Sequence, residues 1–225
     1  MILLGQYDSP FVRRVAGLLH WHGIGFEREV LSVFRDFEAV LARNPLGKVP
    51  ALQLDDGTWL YESRSIVEWV EAKADAASRL TPSDPDLLRQ TLRLEAVAVG
   101  LAEKGYERGV EVSRRDPSAR DLAVIRRTER QIASALSWLE AEVSEPWAVG
   151  QHFGRADLAI AVALTYLSAK LPALYDAKAY PRLEALRSQA EALPAVKAAP
   201  YSATEAAASG WTPPAESRKP APDAG

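Results

Sequence analysis

Three short motifs hold the residue types that could do chemistry: Ser9-Pro10-Phe11, then Lys48-Val49-Pro50, then Glu62-Ser63. Serine before proline is first of all a helix N-cap with proline at the first helical position. A hydroxyl there can also donate a hydrogen bond to a bound thiolate, whose charge the helix dipole favours. A free thiol titrates near 8.5, and lowering that by about two units takes roughly 2.7 kcal/mol. One charge-assisted hydrogen bond of about 1.5–3 kcal/mol and a dipole contribution of about 0.3–1 kcal/mol reach that figure. Such energies activate a thiol and would not ionise the serine itself. A nucleophilic serine does not fit, because no histidine lies nearby in sequence and no G-x-S-x-G elbow exists.

The other two motifs suit a small peptide ligand. Val49-Pro50 opens a strand, where proline's missing N–H is tolerated. X-Pro bonds are cis in only about 5–6% of cases, so the residues by themselves give trans. A cis bond would turn the Val49 peptide groups out of the sheet, where a ligand backbone could pair with them as an added strand does. Glu62-Ser63 stands before a helix, whose free N–H groups suit a ligand carboxylate, while Glu62 could pair an ammonium. Capping competes with that role, since Ser65-Ile66-Val67-Glu68 matches a capping box and rivals Ser63 for the N-cap.

Composition narrows the chemistry. The 225 residues contain no cysteine, which removes disulfides, thiolate zinc sites and a cysteine nucleophile. Any reacting sulfur must arrive with a ligand. His20 and His22 fall on different faces of one expected helix and His152 stands alone, so all three read as surface histidines and no metal is expected. A net charge of −3 gives no reason to expect nucleic acid or an anionic membrane. The start lacks a basic n-region, and the longest apolar stretch, Leu158 to Leu167, is too short to span a bilayer. A soluble, cytoplasmic protein is the expectation.

The elements that must position these motifs follow from periodicity. Residues 2–7 and 26–31 read as strands, with a helix from Pro10 towards Gly23 between them. A weaker helix over 34–42 stops before Asn44-Pro45. Strands at 51–54 and 58–61 flank Asp55-Asp56-Gly57, a strong hairpin signal, and a helix covers 65–73. This β-α-β-α-β-β-α order makes an α/β domain over 1–76. Residues 77–86 read as a linker. An all-helical domain follows over 87–210, with helices at 87–112, 119–143, 155–170 and 180–191. The tail, 211–225, has little to bury and is expected to be disordered.

With these elements in place, Ser9-Pro10-Phe11, the run Asn44-Pro45-Leu46-Gly47-Lys48-Val49-Pro50-Ala51-Leu52 and Tyr61-Glu62-Ser63-Arg64-Ser65-Ile66 resemble the cytosolic glutathione S-transferase superfamily, nearest its serine-type bacterial and tau-like branch. The resemblance implies a thioredoxin-like N-terminal domain and an all-helical C-terminal one. It implies glutathione as co-substrate, with Ser9 at the sulfur, Phe11 nearby, Val49 before a cis Pro50 at the cysteinyl backbone, Glu62 and Ser63 at the γ-glutamyl end and Lys48 near the glycyl carboxylate. Redox-active relatives carry cysteine where Ser9 stands, so thiol-disulfide reduction is disfavoured. Where the family has a Ser/Thr-x-x-Asp capping box, this chain has Gly154-Arg155-Ala156-Asp157, and Asp157 is expected to bond back to the backbone.

The partner of glutathione is expected to be a small apolar electrophile. Phe11, Phe34, Tyr106, Arg114 and Trp211 are candidates for its site, and Tyr7 is a rival thiol activator. The resemblance also implies a homodimer. Zeta-class isomerases carry a motif rich in serine and cysteine where this chain has Asp8-Ser9-Pro10, which ranks glutathione-dependent isomerisation below transfer. A binding module without activity is the third reading.

Overall fold

In the computed structural model, residues 1–210 are described. A four-stranded sheet has the order β2-β1-β3-β4, from β1 (Ile2–Leu4), β2 (Glu27–Glu29), β3 (Ala51–Gln53) and β4 (Trp59–Tyr61). β1 runs parallel to β2 and antiparallel to β3, and β3 pairs antiparallel with β4 through the expected turn at Asp55–Gly57. Helices α1 (Pro10–Trp21), α2 (Phe37–Leu41) and α3 (Ser63–Lys73) complete this domain. The rest of the described chain is helical: α4 (Pro85–Ser113), α5 (Leu122–Glu142), α6 (Arg155–Lys170), α7 (Pro181–Ala192), α8 (Pro194–Lys197) and α9 (Ala203–Ala208). The mixed sheet followed by a helical domain is the fold expected from sequence.

Several boundaries differ from the periodic reading, each for a local reason. β1 stops at Leu4 because Gly5 has φ +130°, where a Cβ would lie 2.5 Å from Val12 Cγ2 and 3.0 Å from Val49 Cβ. Tyr7 therefore lies in a turn, not in a strand. α2 is shorter than expected and begins after Asp36. α4 begins inside the stretch read as linker, because Asp84 caps it and Pro85 takes the first helical position. α3 starts at Ser63, not Ser65: Glu62, at φ 70°, is the N-cap and accepts from the Arg64 N–H at 3.0 Å. The tail and Trp211 lie outside the described residues.

Two large apolar clusters and one small one hold the molecule. The first joins the sheet, α1 and α3 to Leu158, Ala161 and Val162 of α6, so the principal core crosses between the domains. Gly17 lets α1 approach α6 closely, since a Cβ there would sit 3.0 Å from Leu158 Cδ1. The second lies among α4, α5, α6 and α7. Asp157 starts α6 as expected, its carboxylate accepting from the Gly154 N–H at 2.8 Å and the Ala148 N–H at 2.7 Å. Burial pushes its carboxyl up to about 6.

His22 is not a surface residue. Its side chain is 3% exposed, 2.8 Å from the Glu71 carboxylate and 3.3 Å from the Ser78 hydroxyl, and it joins α1 to α3 and the segment after it. Among the described residues no helix is long and apolar enough to cross a membrane, and no group of three or more acidic, histidine or cysteine residues could hold a metal.

Candidate active site

Between the two domains opens a cleft of about 590 Å³. Ser9, Phe11, Phe34, Lys48, Val49, Pro50, Glu62, Ser63 and Tyr106 all line it, although they come from five separate stretches of the chain. Ser9 caps α1 with extended backbone (φ −83°, ψ 124°), and its Oγ accepts from the Val12 N–H at 3.4 Å. That single long contact uses the oxygen as an acceptor and leaves the hydroxyl proton to be donated into the cleft.

The loop before β3 is shaped by Asn44. Its buried side chain donates to the Lys48 carbonyl at 2.7 Å and accepts from the Leu46 N–H at 3.0 Å. Gly47, at φ +61°, lets that loop close over Phe37, because a Cβ would lie 2.6 Å from Phe37 Cε2. The Val49-Pro50 bond is cis, as the resemblance implies and against the preference of the residues alone. Among the described residues, the Val49 amide and carbonyl enter no turn, loop or cap hydrogen bond. Both are therefore available to an extended ligand.

Across the cleft stands the start of α3. Glu62 is the one non-glycine position with positive φ among the described residues, a backbone state that costs on the order of 1–3 kcal/mol and persists only where surroundings impose it. It turns the chain so that Ser63, 1% exposed, begins the helix. The Ser63 hydroxyl donates to Glu62 at 3.3 Å and accepts from Arg14 at 3.4 Å. Arg14 also pairs with Glu95 of α4, which accepts from Arg155 of α6 at 3.0 Å. Arg155 in turn reaches Glu68 of α3 at 2.6 Å and Thr81 at 3.1 Å. This buried network ties the floor of the Ser63 end to both domains.

The opposite side is apolar and aromatic. Phe34 and Tyr106 stack with centroids 6.3 Å apart, beside Val33, Val110 and Tyr166. Burial raises the Tyr106 phenol, with Arg114 working against it, and burial likewise raises Tyr166. Arg114 is not among the lining residues. Its guanidinium lies 4.0 Å from the Phe34 ring centroid and donates to the Ser209 carbonyl at 2.7 Å, so it supports the wall from behind. Tyr7 does not line the cleft either. It is buried, its ring lies 3.4 Å beneath the Arg28 guanidinium, and burial raises its phenol.

Sequence reasoning missed Asn44, Asp8 and Lys170 as cleft residues. Lys170, buried at the end of α6, donates to the Asp8 carboxylate at 2.9 Å. Burial lowers the Lys170 ammonium despite that partner. Asn44 alone carried a signal, lying within the Asn44–Leu52 run. The Asp8–Lys170 pair joins residues 162 apart and leaves no local pattern.

The glutathione S-transferase N-terminal domain family matches residues 3–78, and the C-terminal domain family matches residues 110–194. The chain is similar to an uncharacterized GST-like protein of Escherichia coli K12, YibF. The two are 32% identical over 168 residues, which cover 75% of this chain and 82% of that one. It is 36% identical to maleylacetoacetate isomerase of Pseudomonas aeruginosa over 105 residues, which cover 44% of this chain and 49% of the isomerase. A glutathione S-transferase of Methylobacterium radiotolerans, solved in complex with glutathione sulfonate, superposes with a TM-score of 0.84 at 30% identity. That match covers 90% of this chain and 96% of that one. A glutathione transferase family member of Pseudomonas fluorescens with bound glutathione gives 0.78 at 31% identity over 88% and 97%. The chain belongs to the glutathione S-transferase superfamily.

Proposed function

We propose that this chain is a serine-type glutathione transferase that uses the Ser9 hydroxyl to hold glutathione as a thiolate for attack on a small apolar electrophile. The observation that carries this reading is one cleft shared by a helix-capping hydroxyl, the Val49 peptide groups before a cis proline, and the start of α3. Glutathione fits those features end by end. Its γ-glutamyl carboxylate meets the α3 N-terminus and Ser63, with Glu62 on the ammonium; its cysteinyl amide pairs with Val49; its glycyl carboxylate lies towards Lys48. The sulfur then falls to Ser9.

The thiol proton leaves to solvent, and the hydroxyl hydrogen bond with the α1 dipole stabilises the anion left behind. The thiolate lone pair forms a carbon–sulfur bond while a leaving group departs, or while a conjugated π pair moves to a neighbouring oxygen and is protonated. The packing of the Tyr7 ring under the Arg28 guanidinium supports Ser9 over Tyr7 for this work.

Ser9→Ala should lower kcat/KM by about 10- to 100-fold, the worth of one charge-assisted hydrogen bond with the helix dipole left in place. Calorimetric glutathione affinity should stay within a few-fold. An unchanged rate would refute the role of Ser9. The similarity to maleylacetoacetate isomerase supports a second reading, glutathione as a recycled cofactor. Turnover of maleylacetoacetate without net glutathione consumption would replace transfer by isomerisation. We further propose a cytoplasmic homodimer, which light scattering on the full chain would test.

A further inference from the structure

The three residues that deliver the chain from Gly5 to Ser9 are all held by the helical domain, Gln6 and Tyr7 by the segment that opens α9 and Asp8 by the end of α6. The turn itself is closed by the Ser9 N–H donating to the Gln6 carbonyl at 3.1 Å. The Gln6 side-chain amide donates to the Glu205 carbonyl at 2.8 Å, and the Tyr7 N–H donates to the Glu205 carboxylate at 2.6 Å. The Ser202 N–H donates to the Tyr7 carbonyl at 3.3 Å, and Asp8 is held by Lys170. Arg28 fixes Glu205 from the other side, 3.0 Å from each carboxylate oxygen. The Ser202 hydroxyl orients it from within α9 by accepting from the Glu205 N–H at 3.1 Å.

The Ser9 side chain has one long local contact, to the Val12 N–H at 3.4 Å, whereas its backbone is held at 3.1 Å both to the Gln6 carbonyl and by the Arg13 N–H. The aim of its hydroxyl is therefore set by the backbone of the turn, and that backbone is set by Glu205. We infer that Glu205 is a positioning residue for thiol activation, acting through the turn Gln6–Ser9 and not by touching glutathione. This inference rests on the role proposed for Ser9.

Two effects of removing Glu205 have opposite signs, which makes the inference testable. Loss of a nearby negative charge would by itself favour a thiolate and lower the pKa of bound glutathione. Loss of positioning weakens the Ser9 hydrogen bond and raises that pKa. Titrating the ultraviolet thiolate absorbance of bound glutathione should show Glu205→Ala raised by about one unit, a ten-fold loss of thiolate. Glu205→Gln should rise less, because its amide oxygen still accepts from Tyr7. In a Ser9→Ala background, Glu205→Ala should no longer raise the pKa, leaving it unchanged or lowered by the lost charge, while still lowering Tm, as expected for residues acting in series.

Glu191→Gln is the control. Its carboxylate ties Arg13 of α1 to α7 at 2.7–3.0 Å without touching the turn, so it should lower Tm and leave the thiol unchanged. A Glu205→Ala pKa that is unchanged or lowered overturns the inference, as does a rise that persists without Ser9. If Glu205→Ala does not fold, Glu205→Gln decides on the same terms. A bound-thiol pKa in Ser9→Ala alone that stays as low as in the unaltered chain would instead overturn the Ser9 reading, and this inference with it.

Discussion

The wall of the cleft assigned to glutathione is built from backbone and capping groups: a cis peptide, a helix start at positive φ, an N-cap hydroxyl. The opposite wall is built from side chains on α4, α6 and the loop holding Phe34. The first kind of wall constrains residue identity, since few residues cap, turn or precede cis proline. The second asks only for apolar bulk, which many sequences supply. The comparison explains why one half of the site has a recognisable sequence and the other does not. It also locates where a relative could change substrate without losing glutathione.

The largest effect should come from breaking what joins the walls. Glu95→Ala removes the carboxylate shared by the Arg14 and Arg155 guanidiniums, both under 4% exposed, leaving Arg14 with only the Ser63 hydroxyl among the described residues, and should cost about 3–5 kcal/mol in urea unfolding. Glutathione and electrophile handling should fail together. Retained stability would mean that the network does not bind the two domains.

Next, Ser63→Ala should weaken glutathione about ten-fold or more by calorimetry, the worth of one hydrogen bond to a charged group. Saturated kcat should change little, and a kcat loss with unchanged affinity would misplace Ser63. The mirror variant, Phe34→Ala, should lower kcat/KM for an aromatic electrophile by about ten-fold or less and leave glutathione affinity alone. Were Phe34→Ala to weaken glutathione as much as Ser63→Ala does, the division into two walls would dissolve.

The smallest effect concerns pH. Burial works to raise the Glu71 carboxyl, but hydrogen bonds from Thr81, His22 and Leu80 outweigh it and hold it below the ordinary 4.5. The folded state thus binds this proton less tightly than the unfolded one. Its contribution is present above pH 4.5 and is lost as pH falls through the folded value. Glu71→Gln should flatten part of the fall in urea midpoint as pH drops below 4.5. An unaltered slope would assign that fall to other carboxylates.

Much of the glutathione wall was legible because its signals are local. Ser9-Pro10 caps α1, Asp55–Gly57 turns the hairpin and Asn44 shapes the loop before β3 through bonds within a few residues. Where a distant partner decides, pattern reading gave a different answer. Ser65 matched a capping box, yet Glu62 at φ 70° caps α3 so that it starts at Ser63, and the Ser63 hydroxyl then meets Arg14 from 49 residues away. His22 looked exposed until Glu71, also 49 residues away, covered it. Glu205 reaches Tyr7 over 198 residues, and no spacing rule could announce it. Arg114, a candidate for the electrophile site, does not line the cleft and stacks on Phe34 from behind.

A crystal structure of this chain soaked with glutathione tests the central claim most directly. The account predicts the cysteinyl backbone paired with Val49, the γ-glutamyl arm at Ser63, and the sulfur within hydrogen-bond distance of Ser9 Oγ. A sulfur turned towards Tyr7 or into solvent, with the peptide seated in the same cleft, would contradict it.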